Sequence, residues 1–125
     1  MKEYLKISLL PKDTNMYGTI FGGVIMSHLD LAAAHCARDV YENYFVTAFI
    51  HEMSFLHPVY VGDLVTFRGE VIDSGTTSVT VHVLVDAERL GTRAVNRVTE
   101  AKLVFVAVDR NGQKTPLIPR AGTPA

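Results

Sequence analysis

A chain of 125 residues, 48% of them hydrophobic, is long enough for one domain with its own core and too short for two. Twelve Lys and Arg against thirteen Asp and Glu leave a formal net charge of −1. That balance disfavours a nucleic-acid partner but allows a few local cations around a small anionic ligand. The single cysteine, Cys36, excludes an intramolecular disulfide and, among Ala32, Ala33, Ala34 and Ala37, reads as a small buried hydrophobe.

The opening MKEYLKISLL has neither the apolar run nor the small-residue cleavage site of a signal peptide, and no segment approaches the ~20 apolar residues of a membrane span. The expectation is a soluble cytoplasmic protein with no membrane partner. Residues 3–10 alternate, with Leu5, Ile7 and Leu9 on one side and Tyr4, Lys6 and Ser8 on the other, which predicts a strand. Pro11 to Gly18 is rich in breakers and predicts a loop.

From residue 21 to about 38 the run is rich in Ala, Leu and Met and free of Pro, which predicts a helix. Its apolar residues, Val24, Ile25, Met26, Leu29, Leu31, Ala32, Ala33 and Cys36, lie on nearly all sides, as in a buried helix. Four strands follow, over 45–56, 64–72, 78–87 and 94–109. Val61-Gly62-Asp63, Asp73-Ser74-Gly75 and Arg110-Asn111-Gly112 supply turns, and Val79, Val81, Val83 and Val85 share one strand face. The order β-α-β-β-β-β predicts an α+β fold, one domain over 1–116, with a curved antiparallel sheet around the helix and a flexible tail over 117–125. One helix face stays uncovered in such a packing. A second copy would cover it, joining sheets edge to edge with helices back to back.

Asp30 is the anomaly in the helix. A buried, unpaired carboxylate costs several kcal/mol or more. It is therefore either satisfied by a partner or turned to solvent, or it is a general base or nucleophile at a pocket floor. Gly22-Gly23 opens the helix, where free N–H groups and the helix dipole suit a developing oxyanion; close packing is the plainer reading. Eight residues at 1.5 Å each separate Gly22 from Asp30, or ~12 Å, too far for one small reacting group. Two antiparallel helices in a dimer would set Gly22 of one against Asp30 of the other. Asn15 suits either an Asx turn or a hydrogen bond to water or a carbonyl. The five histidines, with His28 and His35 seven apart, show no zinc spacing, so no metal is expected. No nucleophile elbow, P-loop or dinucleotide fingerprint occurs.

DTNMYGTIFGG, VIMSHLD, SFLHPVYVGD, GTTSV and EAKLVFVAVDRNG, in that order over residues 9–116, resemble the bacterial YciA-type acyl-CoA thioesterases of the hot-dog superfamily. The resemblance implies a hot-dog fold, a double-hot-dog dimer that commonly forms a trimer of dimers, and hydrolysis of acyl-CoA to acid and CoA without metal or cofactor. It carries the catalytic Asp onto Asp30, the loop Asn onto Asn15 and the paired glycines onto Gly22 and Gly23, at sites formed between two subunits. The chain departs from the pattern at Val24, where a bulky aromatic is common, at Met16-Tyr17, and at His57, where a basic residue is frequent. These departures bear on pocket shape and acyl preference.

For the CoA moiety, the loop Gly75-Thr76-Thr77-Ser78 is a candidate phosphate or pantetheine nest, and Arg89, Arg93 and Arg97 are candidate cations. A hairpin turn and solvated strand charges are the plainer readings. Two rival functions stay open. One is a hot-dog hydroxyacyl-thioester dehydratase, for which the His-Phe-Pro motif is missing but His51 or His57 supplies an imidazole. The other is a non-catalytic acyl-CoA-binding module.

Overall fold

The strictest alternation in the chain makes the middle of the sheet. In a computed structural model that describes residues 1–122, Ser78–Glu88 places Val79, Val81, Val83 and Val85 fully inside, with half-buried residues between them. In chain order the elements are β1 (Lys2–Ser8), a 3-10 turn (Pro11–Asp13), α1 (Gly22–Val40), β2 (Tyr44–Phe55), β3 (Leu64–Ser74), β4 (Ser78–Glu88) and β5 (Val95–Val108). The strands form one antiparallel sheet in the order β1-β3-β4-β5-β2.

α1 packs across all five strands. Its small residues permit that approach. Ala33 and Ala37 are fully buried, and at Gly69 of β3 a Cβ would already stand 3.5 Å from Cys36 Sγ. Phe67, Phe105, Ile25, Leu29 and Leu103 fill the layer between helix and sheet. This is the expected α+β architecture of a sheet wrapped on a helix.

Three expectations need correction. The helix is not buried all round: Met26 is 39% and Leu31 48% exposed, on a stripe with Ser27, His35 and Arg38. Tyr4 does not oppose Leu5, because the β1–β3 register slips between Glu3 and Leu5; its hydroxyl reaches Asp39 of α1 at 3.0 Å. The tail expected over 117–125 is fastened as far as Arg120. Ile118 N–H donates to Asn43 Oδ1 (2.8 Å), Glu42 N–H to the Ile118 carbonyl (2.7 Å) and Arg120 N–H to the Val40 carbonyl (2.8 Å). Residues 123–125 lie outside the described residues.

β2 is an edge strand and an unprotected one. Tyr44, Val46 and Phe49 are exposed on it, Phe49 at 65%, and among the described residues no strand pairs with its outer side. Register shifts at Thr47/Phe49 and His51/Ser54 bend it, and Glu52 sits at φ +53 in the second. Among the described residues no helix is long and apolar enough to cross a membrane.

Candidate active site

The loop before α1 is built from its own polar groups. Leu10 N–H donates to Asp13 Oδ2 (3.0 Å), which holds that carboxyl below the usual carboxylate range. Tyr17 and Thr19 amides donate to Asn15 Oδ1 (2.8 and 3.2 Å), while Asn15 Nδ2 donates to Thr19 Oγ1 (2.8 Å). Asn15 thus forms an Asx turn and keeps one amide hydrogen to spare. Ile20 N–H to the Val59 carbonyl (2.7 Å) and Phe21 N–H to the Asp13 carbonyl (2.8 Å) then deliver the chain to the helix.

The helix start is left unfinished. Phe21 caps it in an extended conformation with no side-chain acceptor, and no acid lies in the first turn. Among the described residues nothing accepts from the Gly22 or Gly23 amide. A Cβ on Gly22 would meet the Phe55 ring at 3.5 Å, and one on Gly23 would crowd the Phe21 ring at 3.0 Å. Two free N–H groups at the positive end of a 19-residue helix have the chemistry to accept an anion or a developing oxyanion.

Two turns on, Asp30 is half-buried on the uncovered stripe. Its Oδ1 accepts from the Thr47 hydroxyl of β2 at 2.7 Å, and among the described residues Oδ2 has no partner. Thr47 is a functional candidate that sequence reasoning passed over; its only signal is a hydroxyl inside the apolar run of β2. His28 points elsewhere. Its Nδ1 is 2.8 Å from the Val24 carbonyl and its ring lies against Phe67, centroids 6.3 Å apart.

A pocket of about 260 Å³ opens beside the first helical turn, lined among others by Gly22, Ile25, Phe55, His57, Val59 and Thr99. A larger hollow of about 720 Å³ lies at the other end of α1, beside Tyr4, His35, Arg38, Asp39 and Arg120. Size favours the second and the free helix amides favour the first; in the larger hollow Asp39 is already held by its neighbours. Asp39 pairs with Lys2 (2.6 Å) and Arg120 (3.7 Å) and accepts from Tyr4 (3.0 Å). The Lys2 and Tyr4 hydrogen bonds hold the Asp39 carboxyl below its ordinary range. Burial, with Cys36 and Asp39 adding to it, pushes the Tyr4 phenol well up. Burial likewise pushes the Cys36 thiol up to about 11, which leaves it inert.

The Thr76-Thr77-Ser78 loop stands near that second end, where Tyr41 donates to Ser74 Oγ at 2.7 Å. Its carbonyls are taken by the Leu117, Ala107 and Gly75 amides. One chain therefore does not bring Thr76, Thr77 and Ser78 to Gly22. Of the candidate cations, Arg89 is held by the fully buried Asp63 (2.7 Å) over the Tyr60 ring, and Arg97 by Asp86 (2.6 Å). Acids nearby in the fold have claimed both. Arg93, in the turn between β4 and β5 at φ +60, has no acid in ion-pair range among the described residues. His57 Nδ1 is tied to the Arg97 carbonyl (2.9 Å) and His82 Nε2 to Glu100 (2.8 Å). Among the described residues no group of three or more His, Cys, Asp or Glu is placed to hold a metal ion.

Residues 17–94 match the family model of the Thioesterase superfamily. The chain is similar to the acyl-CoA thioester hydrolase YciA of Escherichia coli, 35% identical over 116 residues that cover 90% of this chain and 88% of the relative. It is also similar in structure to a hexameric hotdog fold thioesterase of Campylobacter jejuni, with a TM-score of 0.88 and 38% identity over 94% of this chain and 90% of the other. A hexameric broad-specificity acyl-coenzyme A thioesterase superposes with a TM-score of 0.90 and 34% identity, covering 98% of this chain and 89% of its own.

Proposed function

The chain belongs to the thioesterase superfamily and is an acyl-CoA thioesterase, and we propose that it hydrolyses its substrate at a site completed by two copies of the chain. The observation that carries this reading is the pair of unused amides at Gly22 and Gly23, with Asp30 standing ~12 Å further along the same helix, on its uncovered stripe. The thioester carbonyl oxygen accepts from the Gly22 or Gly23 N–H of one subunit, which polarises it. Asp30 of the partner subunit then acts on the carbonyl carbon by one of two routes. As a base, it takes a proton from water, hydroxide adds, and the tetrahedral adduct collapses to acid and CoA thiolate. As a nucleophile, it displaces CoA thiolate and forms an acyl-aspartyl anhydride, which water opens.

Each remaining residue has a part. Thr47 holds Asp30 Oδ1 and leaves Oδ2 to react. Asn15 shapes the loop that presents the amides, and its spare amide hydrogen orients water or thioester. Thr76, Thr77 and Ser78 receive the pantetheine or a phosphate of CoA bound mainly to the neighbouring subunit. No metal or cofactor enters these steps. Pairing of β2 edges, which would cover Tyr44, Val46 and Phe49 and set the helix stripes together, makes the dimer, and three dimers make a hexamer. The hexameric relatives support that assembly. A cytoplasmic setting belongs to the same proposal.

The test is Asp30→Asn assayed with a panel of acyl-CoAs and a thiol reagent. The variant assembles normally and loses ~10²-fold or more in kcat. Unchanged turnover across the panel would remove Asp30 from the chemistry. Single-turnover hydrolysis in labelled water separates the routes, since only attack by Asp30 leaves 18O in its carboxylate.

A further inference from the structure

The start of α1 has no side-chain cap, so its free amides are placed by the chain that leads into them. Two backbone bonds hold that chain: Phe21 N–H donates to the Asp13 carbonyl (2.8 Å) and Ile20 N–H to the Val59 carbonyl (2.7 Å). Asp13 sits in the 3-10 turn of the same loop, whereas Val59 belongs to the connection between β2 and β3. Ile20 and Val59 are both buried, and both line the pocket beside Gly22. The position of Val59 therefore bears directly on where the Gly22 amide stands.

Next to Val59 is a fastening that takes no part in bond breaking. Asp63 is fully buried. Its Oδ2 accepts from the Tyr60 N–H (3.0 Å), its own N–H donates to the Tyr60 carbonyl (3.1 Å), and its Oδ1 accepts from Arg89 Nε (2.7 Å). The Arg89 guanidinium lies over the Tyr60 ring, 4.3 Å from its centroid. Arg89 directly follows β4, so the pair ties the 60–63 turn to the sheet. Leu90 closes on the same turn: a Cβ on Gly62 would meet its Cδ2 at 3.3 Å. Apolar residues of similar volume often stabilise a fold as well as a buried ion pair does, so filling space does not account for this one. What the pair adds is direction. A planar guanidinium between one carboxylate and one ring holds Tyr60, and with it Val59, in a single place.

We propose that Arg89 is a positioning residue for the hydrolysis: through Asp63, Tyr60 and Val59 it sets the Gly22 and Gly23 amides against the thioester carbonyl. It touches no reacting atom. The inference rests on the amide reading of the helix start, and it gives Arg89 a use other than binding CoA.

A double-mutant cycle in kcat tests it, run on the whole protein well below the melting temperature of each variant. Arg89→Met lowers kcat about tenfold, inside the loss of about a hundredfold that a misplacement of about 1 Å can cause. In a Gly22→Pro background, which has already lost the amide, the same change costs less than about twofold, because the two variants disable one device. Should Arg89→Met strand the buried carboxylate and fail to fold, Asp63→Asn combined with Arg89→Met repeats the cycle with no charge left behind. Equal losses in the two backgrounds overturn the inference, since a pair that only supports the fold acts independently of the amide. So does an unchanged kcat in Arg89→Met. Both results leave the thioesterase reading standing. An unchanged kcat in Gly22→Pro alone overturns the amide reading itself, and this inference with it.

Discussion

The two ends of α1 are opposites. At its C-terminal end Asp39, Lys2, Arg120 and Tyr4 close on one another beside a hollow of about 720 Å³ that His35 and Arg38 also line. At its N-terminal end two amides have no acceptor among the described residues, the cap has no side-chain oxygen, and a smaller pocket opens beside them. Free backbone donors at the start of the helix, more than volume, single out the N-terminal end as the proposed working end.

The sharpest way to break the contrast is to remove one donor from the N-terminal end. Gly22 is the first residue of α1, where a helix tolerates proline, and Phe21 before it is already extended at φ −62, ψ 130. Gly22→Pro therefore deletes an N–H with little strain and should lower kcat by ~10²-fold at an unchanged melting temperature. Gly22→Ala keeps the amide and meets only an ordinary contact with Phe55, so it should cost no more than a few-fold. Equal losses in the two variants would move the effect from the amide to the side-chain space.

A smaller effect is expected at the hinge between the two ends. Thr47→Val removes the hydroxyl that fixes Asp30 Oδ1, and kcat should fall about tenfold with KM little changed. A change in KM alone would mean that Thr47 contacts substrate and does not position Asp30.

The smallest effect belongs to the C-terminal end. Asp39→Asn should leave kcat untouched and cost less than about 1 kcal/mol of stability at neutral pH, since Lys2 is largely exposed. The sign with pH follows from the lowered pKa. Asp39 stabilises the fold fully above the ordinary aspartate range and loses that contribution as pH falls through its depressed value. Wild type and variant should therefore differ at pH 7 and converge in acid, as urea titrations at several pH values would show. Divergence in acid would contradict the assigned direction.

How much of this was legible beforehand varies with the kind of interaction. Val79 to Val85 announce a buried face because a period of two carries its own geometry. Gly62 and Gly112 announce turns and take φ +93 and +79 there. The helix that carries Gly22, Gly23 and Asp30 was legible, and with it the ~12 Å between them on which the proposed two-chain site rests. Contacts between distant segments were not legible. Tyr4 changed faces through a one-residue register slip, and Thr47 met Asp30 only because β2 folds back along α1. Asn43 holds the 117–120 strap across 75 positions, a pairing that no local spacing encodes. Arg89 and Arg97 looked free in the sequence because Asp63 and Asp86 reach them through the sheet.

The central claim is that Gly22 and Asp30 act together from different subunits, and subunit complementation tests it most directly. Asp30→Asn and Gly22→Pro would each be inactive alone. Refolded together from equal amounts, half the dimers are mixed, and each mixed dimer holds one intact site of two. The account predicts that about a quarter of wild-type activity returns in the mixture, as a two-fold-symmetric pair of shared sites requires. A mixture no more active than the two variants apart would contradict it.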